Sequence, residues 1–328
     1  MTVTGPDIKE IRALREELAE ETIATPMLRC AAIEHAVGGQ TSVQAKLEFL
    51  QRTGTFKARG ALATLRGLDK AQLEAGVTAV SAGNHAIATA FAAQTLGTTA
   101  KVVMTSSANP SRIAACQSFG AEVVLANDVH DAFEVAERIQ EDEGRFFVHP
   151  FEGPSVALGT GTLGLEICEQ AGDFDALIVP IGGGGLIAGV ANAVKQLRPD
   201  CEIFGVEPVG ADSMHRSRAA GAPQSIDKVN TIADSLGAPF AMPYSFALAE
   251  ANVDRLVLVD DMQLRRSMGF LFSAMKIAVE PACAASTAAV LGPLRDELRD
   301  RRVVLLMCGS NIDWETFEKQ VIFDEPAA

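Results

Sequence analysis

Residues 176–185, Ala176-Leu177-Ile178-Val179-Pro180-Ile181-Gly182-Gly183-Gly184-Gly185, set the reading of this chain. An apolar β-branched run too short for a helix ends in four consecutive glycines, and Leu186 then opens a helix-periodic segment. A strand apolar on both faces is one buried in a parallel sheet. Unencumbered amides converging on a helix N-terminus form a cradle for a phosphate. The four-in-a-row pattern fits the spaced G-x-G-x-x-G of a dinucleotide site poorly. A merely flexible loop would be polar, and this one lies between apolar segments.

The same alternation extends in both directions. From residue 77 onward, short β-branched runs alternate with helical periodicity, which predicts an α/β fold with parallel sheets and helices on both faces. Strands are expected at Val77 to Ser81, Ala100 to Met104, Ala121 to Ala126, Arg145 to His149, Ala176 to Ile181, Glu202 to Val206, Arg255 to Val259 and Val303 to Cys308. Asn109-Pro110 reads as an N-cap followed by proline at the first helical position, with Gly120 closing that helix. The turn-rich His149-Pro150-Phe151-Glu152-Gly153-Pro154 marks a domain break. A small domain of residues 76–149 is therefore expected, inserted in a larger one of residues 1–75 and 150–328.

The chain has 328 residues, 48% of them hydrophobic, and 28 basic against 42 acidic side chains give a net charge of −14. That sign repels nucleic-acid phosphates and anionic lipid headgroups. The six cysteines form no C-x-x-C pair, so reduced thiols in a cytoplasm are expected rather than a disulfide framework. The N-terminal stretch alternates charge with helix-spaced Ile8, Ile11, Leu14 and Leu18, unlike a signal peptide. The longest charge-free stretch is broken by Pro180 and the glycines, so no transmembrane segment is expected.

Three further stretches carry chemistry. In Thr55-Phe56-Lys57-Ala58-Arg59-Gly60-Ala61 a Gly/Thr turn feeds a helix, with Thr55 as its expected N-cap. Lys57 then sits in the first turn, where the helix dipole and Arg59 are expected to disfavour its ammonium form and prime it as a nucleophile. Ser81-Ala82-Gly83-Asn84-His85 is a strand-to-helix turn whose amides face an anion. Taken alone, Asn84 reads as an N-cap and His85 as a satisfied, partly buried histidine. Cys308-Gly309-Ser310-Asn311 ends the final strand, where ligands bind in open α/β sheets. Its thiol suits a neutral ring nitrogen, although alone it reads as a small buried apolar residue. A lysine nucleophile, a phosphate cradle, an anion-binding turn and a neutral partner for a ring nitrogen together equip a chain for pyridoxal phosphate.

On these motifs the chain resembles the fold-type II pyridoxal-phosphate enzymes of the serine/threonine dehydratase and serine racemase family, from about Thr25 to Asp313. The resemblance implies a tryptophan synthase β-like fold with two doubly wound parallel-sheet domains, and a homodimer. It implies that Lys57 forms the internal Schiff base, Phe56 packs beside the cofactor ring, and Gly182 to Gly185 hold the phosphate. Asn84 would bond the phenolic oxygen, Cys308 would meet the pyridine nitrogen, and the Ser81 to His85 turn would hold the substrate carboxylate. The implied activity is β-elimination from a 3-hydroxy amino acid, giving a 2-oxo acid and ammonia.

Racemases of this family place a serine at the position of Ala82, and a methyl group cannot move a proton, so a lyase is favoured over a serine racemase with side elimination. Ile87 and Thr160 stand where glutamine is usual. The substrate therefore stays open among threonine, serine, 3-hydroxyaspartate, a bulkier 3-hydroxy amino acid and an intermediate of ectoine breakdown. The family's cation site is incomplete: Glu207 and the Ala211 carbonyl match, but Ser213 replaces an aspartate. A weakly bound monovalent or divalent cation is expected there at most, with Glu207 as a plain surface acid the competing reading.

Overall fold

The computed structural model describes residues 3–323. Its strands are β1 (Met27–Arg29), β2 (Ser42–Leu47), β3 (Val77–Val80), β4 (Ala100–Thr105), β5 (Glu122–Ala126), β6 (Phe146–Phe147), β7 (Ala176–Pro180), β8 (Glu202–Pro208), β9 (Arg255–Val259) and β10 (Arg302–Met307). They form a six-stranded sheet of order β1-β2-β10-β7-β8-β9 and a four-stranded sheet of order β5-β4-β3-β6. Every pairing is parallel except that of β1 with β2. All eight expected strands are present, as is the α/β class.

The strands β1 and β2 were not expected. β1 is only three residues long. β2 carries Lys46, whose charge reads as solvent-facing. Its amine is instead fully buried, bonded to Glu166 (2.7 Å), the Thr25 carbonyl (2.6 Å) and Gln170 (2.8 Å).

β7 is buried along its whole length, and β10 everywhere except Arg302, as strands covered on both faces must be. The main core gathers Ile178, Val179, Leu305 and Leu306 with helix residues such as Ile187 and Val190. A second core lies under the four-stranded sheet. It takes Val77, Ala79 and Val102 from the strands, and also Leu14, Leu18, Leu62 and Leu65 from upstream helices. The helix Lys57–Arg66 therefore packs on the smaller sheet's core while its N-terminus reaches the larger sheet through the Thr55–Gly309 bridge.

Asn109 does cap the helix Pro110–Ser118, accepting from the Ser111 amide at 2.9 Å. All six cysteines are buried and unpaired by disulfides. Among the described residues no helix is long and apolar enough to cross a membrane.

Candidate active site

The four motif stretches meet because each follows the carboxyl end of a parallel strand: β2, β3, β7 and β10. In such sheets this is the end at which ligands bind. The loop before Lys57 is fixed to the loop after β10 by Phe56 N–H to the Cys308 carbonyl (3.1 Å) and Ser310 N–H to the Gly54 carbonyl (3.1 Å). Thr53 holds φ +69°, an uncommon conformation for a β-branched residue, and the Asn311 amide clamps its carbonyl at 2.7 Å.

Phe56 takes the cap position of the following helix; Thr55 sits one residue earlier, its hydroxyl accepting from the Lys57 amide at 3.0 Å. The Lys57 amine donates to the Pro150 carbonyl at 2.5 Å and lies 5.2 Å from the Phe56 ring centroid. Burial pushes its pKa down to about 8, against the opposing pull of Cys308 and Glu280. The expected cause was different, namely Arg59 and the helix dipole. Residues two apart lie on different helix faces, and the Arg59 guanidinium is fully buried elsewhere, bonded to Glu48 (2.6 Å) and Glu166 (2.7 Å).

Gly184 caps the helix Gly185–Leu197 with φ +90°. A Cβ at Gly183 would lie 2.2 Å from the Phe151 ring, and one at Gly185 would lie 2.5 Å from the Phe151 carbonyl oxygen. Glycine is thus required by close approach as well as by conformation. Cys308 is buried, and its thiol is held well above the ordinary range by a hydrogen bond with Cys283 and by burial. It is therefore a neutral group.

Asn84 is not the helix cap; Gly83 is. The Asn84 side chain donates to Glu280 (2.8 Å) and to the Ser235 hydroxyl (3.1 Å) and accepts from Asn311 (2.8 Å). His85 follows the bland reading: its Nε2 meets the Val148 carbonyl at 2.8 Å, and burial lowers its pKa to about 3. Ser81 accepts the Gly83 amide at 3.1 Å, closing the turn that includes Ala82.

Several site residues escaped the sequence reading. Glu280 is fully buried, its pKa raised to about 7 by burial and by the charge of Asp234. Glu280 and Asn311 lie far along the chain from Asn84, so no local pattern could have linked them. Arg112 crosses from the smaller sheet's side to Asp234 at 2.5 Å. Ile87 and Thr160 line neither compartment of the cleft; the Thr160 hydroxyl bonds the Gly185 carbonyl at 2.9 Å.

Glu207, weighed as a surface acid, is fully buried. Its oxygens accept the Met214 and His215 amides, each at 2.8 Å, at the start of the helix Ser213–Ala220, and burial raises its pKa to about 8. Ala211 is buried nearby in sequence, and the Ser213 hydroxyl has no hydrogen-bond partner among the described residues. Among the described residues no three His, Cys, Asp or Glu side chains gather as a metal cluster.

Phe56, Lys57, Asn84, Gly182 to Gly185, Glu280 and Cys308 line one compartment. It shares Lys57, Asn84 and Phe151 with an outer cleft of about 280 Å³. An amine with no carboxylate salt bridge among the described residues, a glycine cradle at a helix N-terminus and a neutral thiol suit a phosphorylated aldehyde ring. Consistent with this, residues 18–309 match the family of pyridoxal-phosphate dependent enzymes. The chain belongs to that family.

Among its relatives in the family is the phenylserine dehydratase of Ralstonia pickettii, 52% identical over 98% of each chain. The L-threonine ammonia-lyase of Thermotoga maritima is 36% identical over 95% of this chain and 76% of its own. The structure of maize serine racemase superposes with a TM-score of 0.91 at 33% identity, covering 96% of this chain and 97% of the other. The pyridoxal-phosphate cofactor, the fold-type II architecture and the dehydratase reading inferred from the motifs agree with these findings, and the racemase reading is the weaker one.

Proposed function

We propose that this pyridoxal-phosphate lyase acts on a 3-hydroxy amino acid with an aromatic β-substituent, releasing the corresponding 2-oxo acid and ammonia. The observation that carries this reading is the wall of the outer cleft beside Lys57, where Phe133, Phe151 and Phe240 stand with Ala82 and Pro239. The rings of Phe151 and Phe240 lie 5.9 Å apart. Such a wall favours an aryl group over a methyl or a carboxylate. The 52% identical phenylserine dehydratase supports the same choice.

In this reading Lys57 holds the cofactor, Phe56 flanks its ring, Gly182 to Gly185 grip its phosphate, Asn84 serves the phenolic oxygen and Cys308 the pyridine nitrogen. Bound pyridoxal phosphate supplies the electron sink for the Cα–H bond. Burial, by lowering the Lys57 pKa to about 8, enlarges the share of unprotonated amine, which takes the Cα proton once the substrate amine has freed it. The amides of the Ser81 to His85 turn hold the substrate carboxylate, and the methyl of Ala82 offers no acid or base on the opposite face, which disfavours racemisation.

The protein works as a homodimer in the cytoplasm, with residues 76–149 as a lobe over the remainder. The six buried free thiols support a reducing compartment. The exposed rings of Phe272 and Phe323, 5.9 Å apart, and the exposed Trp314 ring, joined to Phe272 through Phe317, support an interface between copies. The test of the substrate is kcat/KM for 3-phenylserine against threonine and 3-hydroxyaspartate. A preference for 3-phenylserine is expected; faster turnover of either competitor would overturn the aryl assignment.

A further inference from the structure

His149 follows the short strand β6 and lines the outer cleft together with Lys57 and Phe240. Its Nδ1 accepts two backbone donors, Phe151 N–H at 3.3 Å and Glu152 N–H at 3.0 Å. A nitrogen that accepts two N–H groups cannot itself carry a proton, so the ring proton sits on Nε2. The ring is further held edge-on between Phe147 (6.2 Å) and Phe151 (4.7 Å).

The other polar side chains on the cleft wall each have a protein partner. Arg112 is paired with Asp234, His85 Nε2 with the Val148 carbonyl, the Asn84 amide with Glu280 and Ser235, and the Lys57 amine with the Pro150 carbonyl. The Ser81 hydroxyl belongs to the turn assigned to the substrate carboxylate. His149 Nε2–H has no protein partner among the described residues.

We infer that His149 is a catalytic residue of the elimination, donating a hydrogen bond from Nε2–H to the β-hydroxyl oxygen as it leaves. This rests on the dehydratase reading above. Burial lowers the imidazole pKa to about 4, so the ring stays neutral at working pH and acts as a fixed donor, without transferring a proton. The balance is complete without it. Lys57 takes the proton from Cα, the freed pair forms the Cα=Cβ bond, and the Cβ–O bond breaks with its electrons going to oxygen. That oxygen takes the proton back from Lys57 and departs as water. A preorganised donor at the atom where negative charge develops is worth about 10²–10³ in rate.

The test is to compare His149→Phe and His149→Gln with the wild-type holoenzyme on 3-phenylserine, serine and 3-chloroalanine, whose chloride leaves unaided. Bound-cofactor absorbance and melting temperature serve as folding controls. His149→Phe keeps an aromatic ring without the donor, so kcat on the hydroxy substrates falls about 100-fold or more while chloroalanine elimination changes less than about threefold. His149→Gln, which restores an N–H donor, regains part of the loss. Equal losses on all three substrates would show that the ring binds the carboxylate or supports the fold, and would overturn the inference, as would an unchanged kcat on the hydroxy substrates. If the wild type cleaves chloroalanine but no 3-hydroxy amino acid, the dehydratase reading falls and takes this inference with it.

Discussion

Alanine substitution at Gly183 and at Gly185 separates two reasons why the cradle is glycine. At 183 the added Cβ meets the Phe151 ring at 2.2, 2.3 and 2.4 Å, whereas at 185 it meets the Phe151 carbonyl oxygen, Cα and carbonyl carbon at 2.5, 2.7 and 2.9 Å. Both separations are far inside van der Waals contact, so something must shift. Overpacking of this size costs about 1–3 kcal/mol. If the strain falls on the phosphate cradle, that is roughly a 5- to 150-fold weaker cofactor affinity. The two positions differ in what can yield. Truncating the ring with Phe151→Ala removes the obstacle at 183 but leaves the backbone obstacle at 185. In a double-mutant cycle read by cofactor titration, Phe151→Ala should rescue Gly183→Ala by at least about 1 kcal/mol and leave Gly185→Ala uncoupled. Wild-type affinity in Gly183→Ala, or equal rescue at both positions, would refute the reasoning.

Three other outcomes follow from the buried charges and the cleft wall. Arg59→Met strands the Glu48 carboxylate in the interior and leaves Glu166 with Lys46 as its one charged partner among the described residues, which should cost about 3–5 kcal/mol in urea unfolding at pH 7. Burial raises the Glu166 pKa, but the Arg59 and Lys46 charges hold it below its ordinary value, so its contribution is present at neutral pH and lost on acidification. The difference between wild type and Arg59→Met should accordingly shrink as the pH falls below about 4.5, and a pH-independent difference would count against the network. Glu280 has the opposite sign. Its folded pKa is raised from 4.5 to about 7, so the native state binds the extra proton and the stability of wild type relative to Glu280→Gln should fall as pH rises through that window. Phe240→Ala should lower kcat/KM for 3-phenylserine about tenfold relative to threonine, through loss of aromatic contact.

What the sequence disclosed was what local pattern encodes. Continuous apolar runs read correctly as buried parallel strands, and each motif that follows a strand end lies at the cleft. The failures share a physical cause, which is that a polar group is satisfied by partners that residue type and local periodicity do not reveal. Lys46 hid β2 because its partners Glu166 and Gln170 are 120 and 124 residues away. Glu207 was weighed as a surface acid because the amides that satisfy it come from the next helix. Asn84 read as a cap because Glu280 and Asn311, which hold it, are invisible to a local window. His149 was read only as the end of a strand and the start of a turn; its tautomer depends on the Phe151 and Glu152 amides, which no residue pattern reveals.

The central claim is that the Lys57 amine carries the cofactor. Borohydride reduction of the holoenzyme, followed by proteolysis and peptide mass spectrometry, tests it most directly. The account predicts a phosphopyridoxyl group on the peptide containing Lys57 and none on Lys57→Ala; modification of a different lysine, or of none, would contradict it.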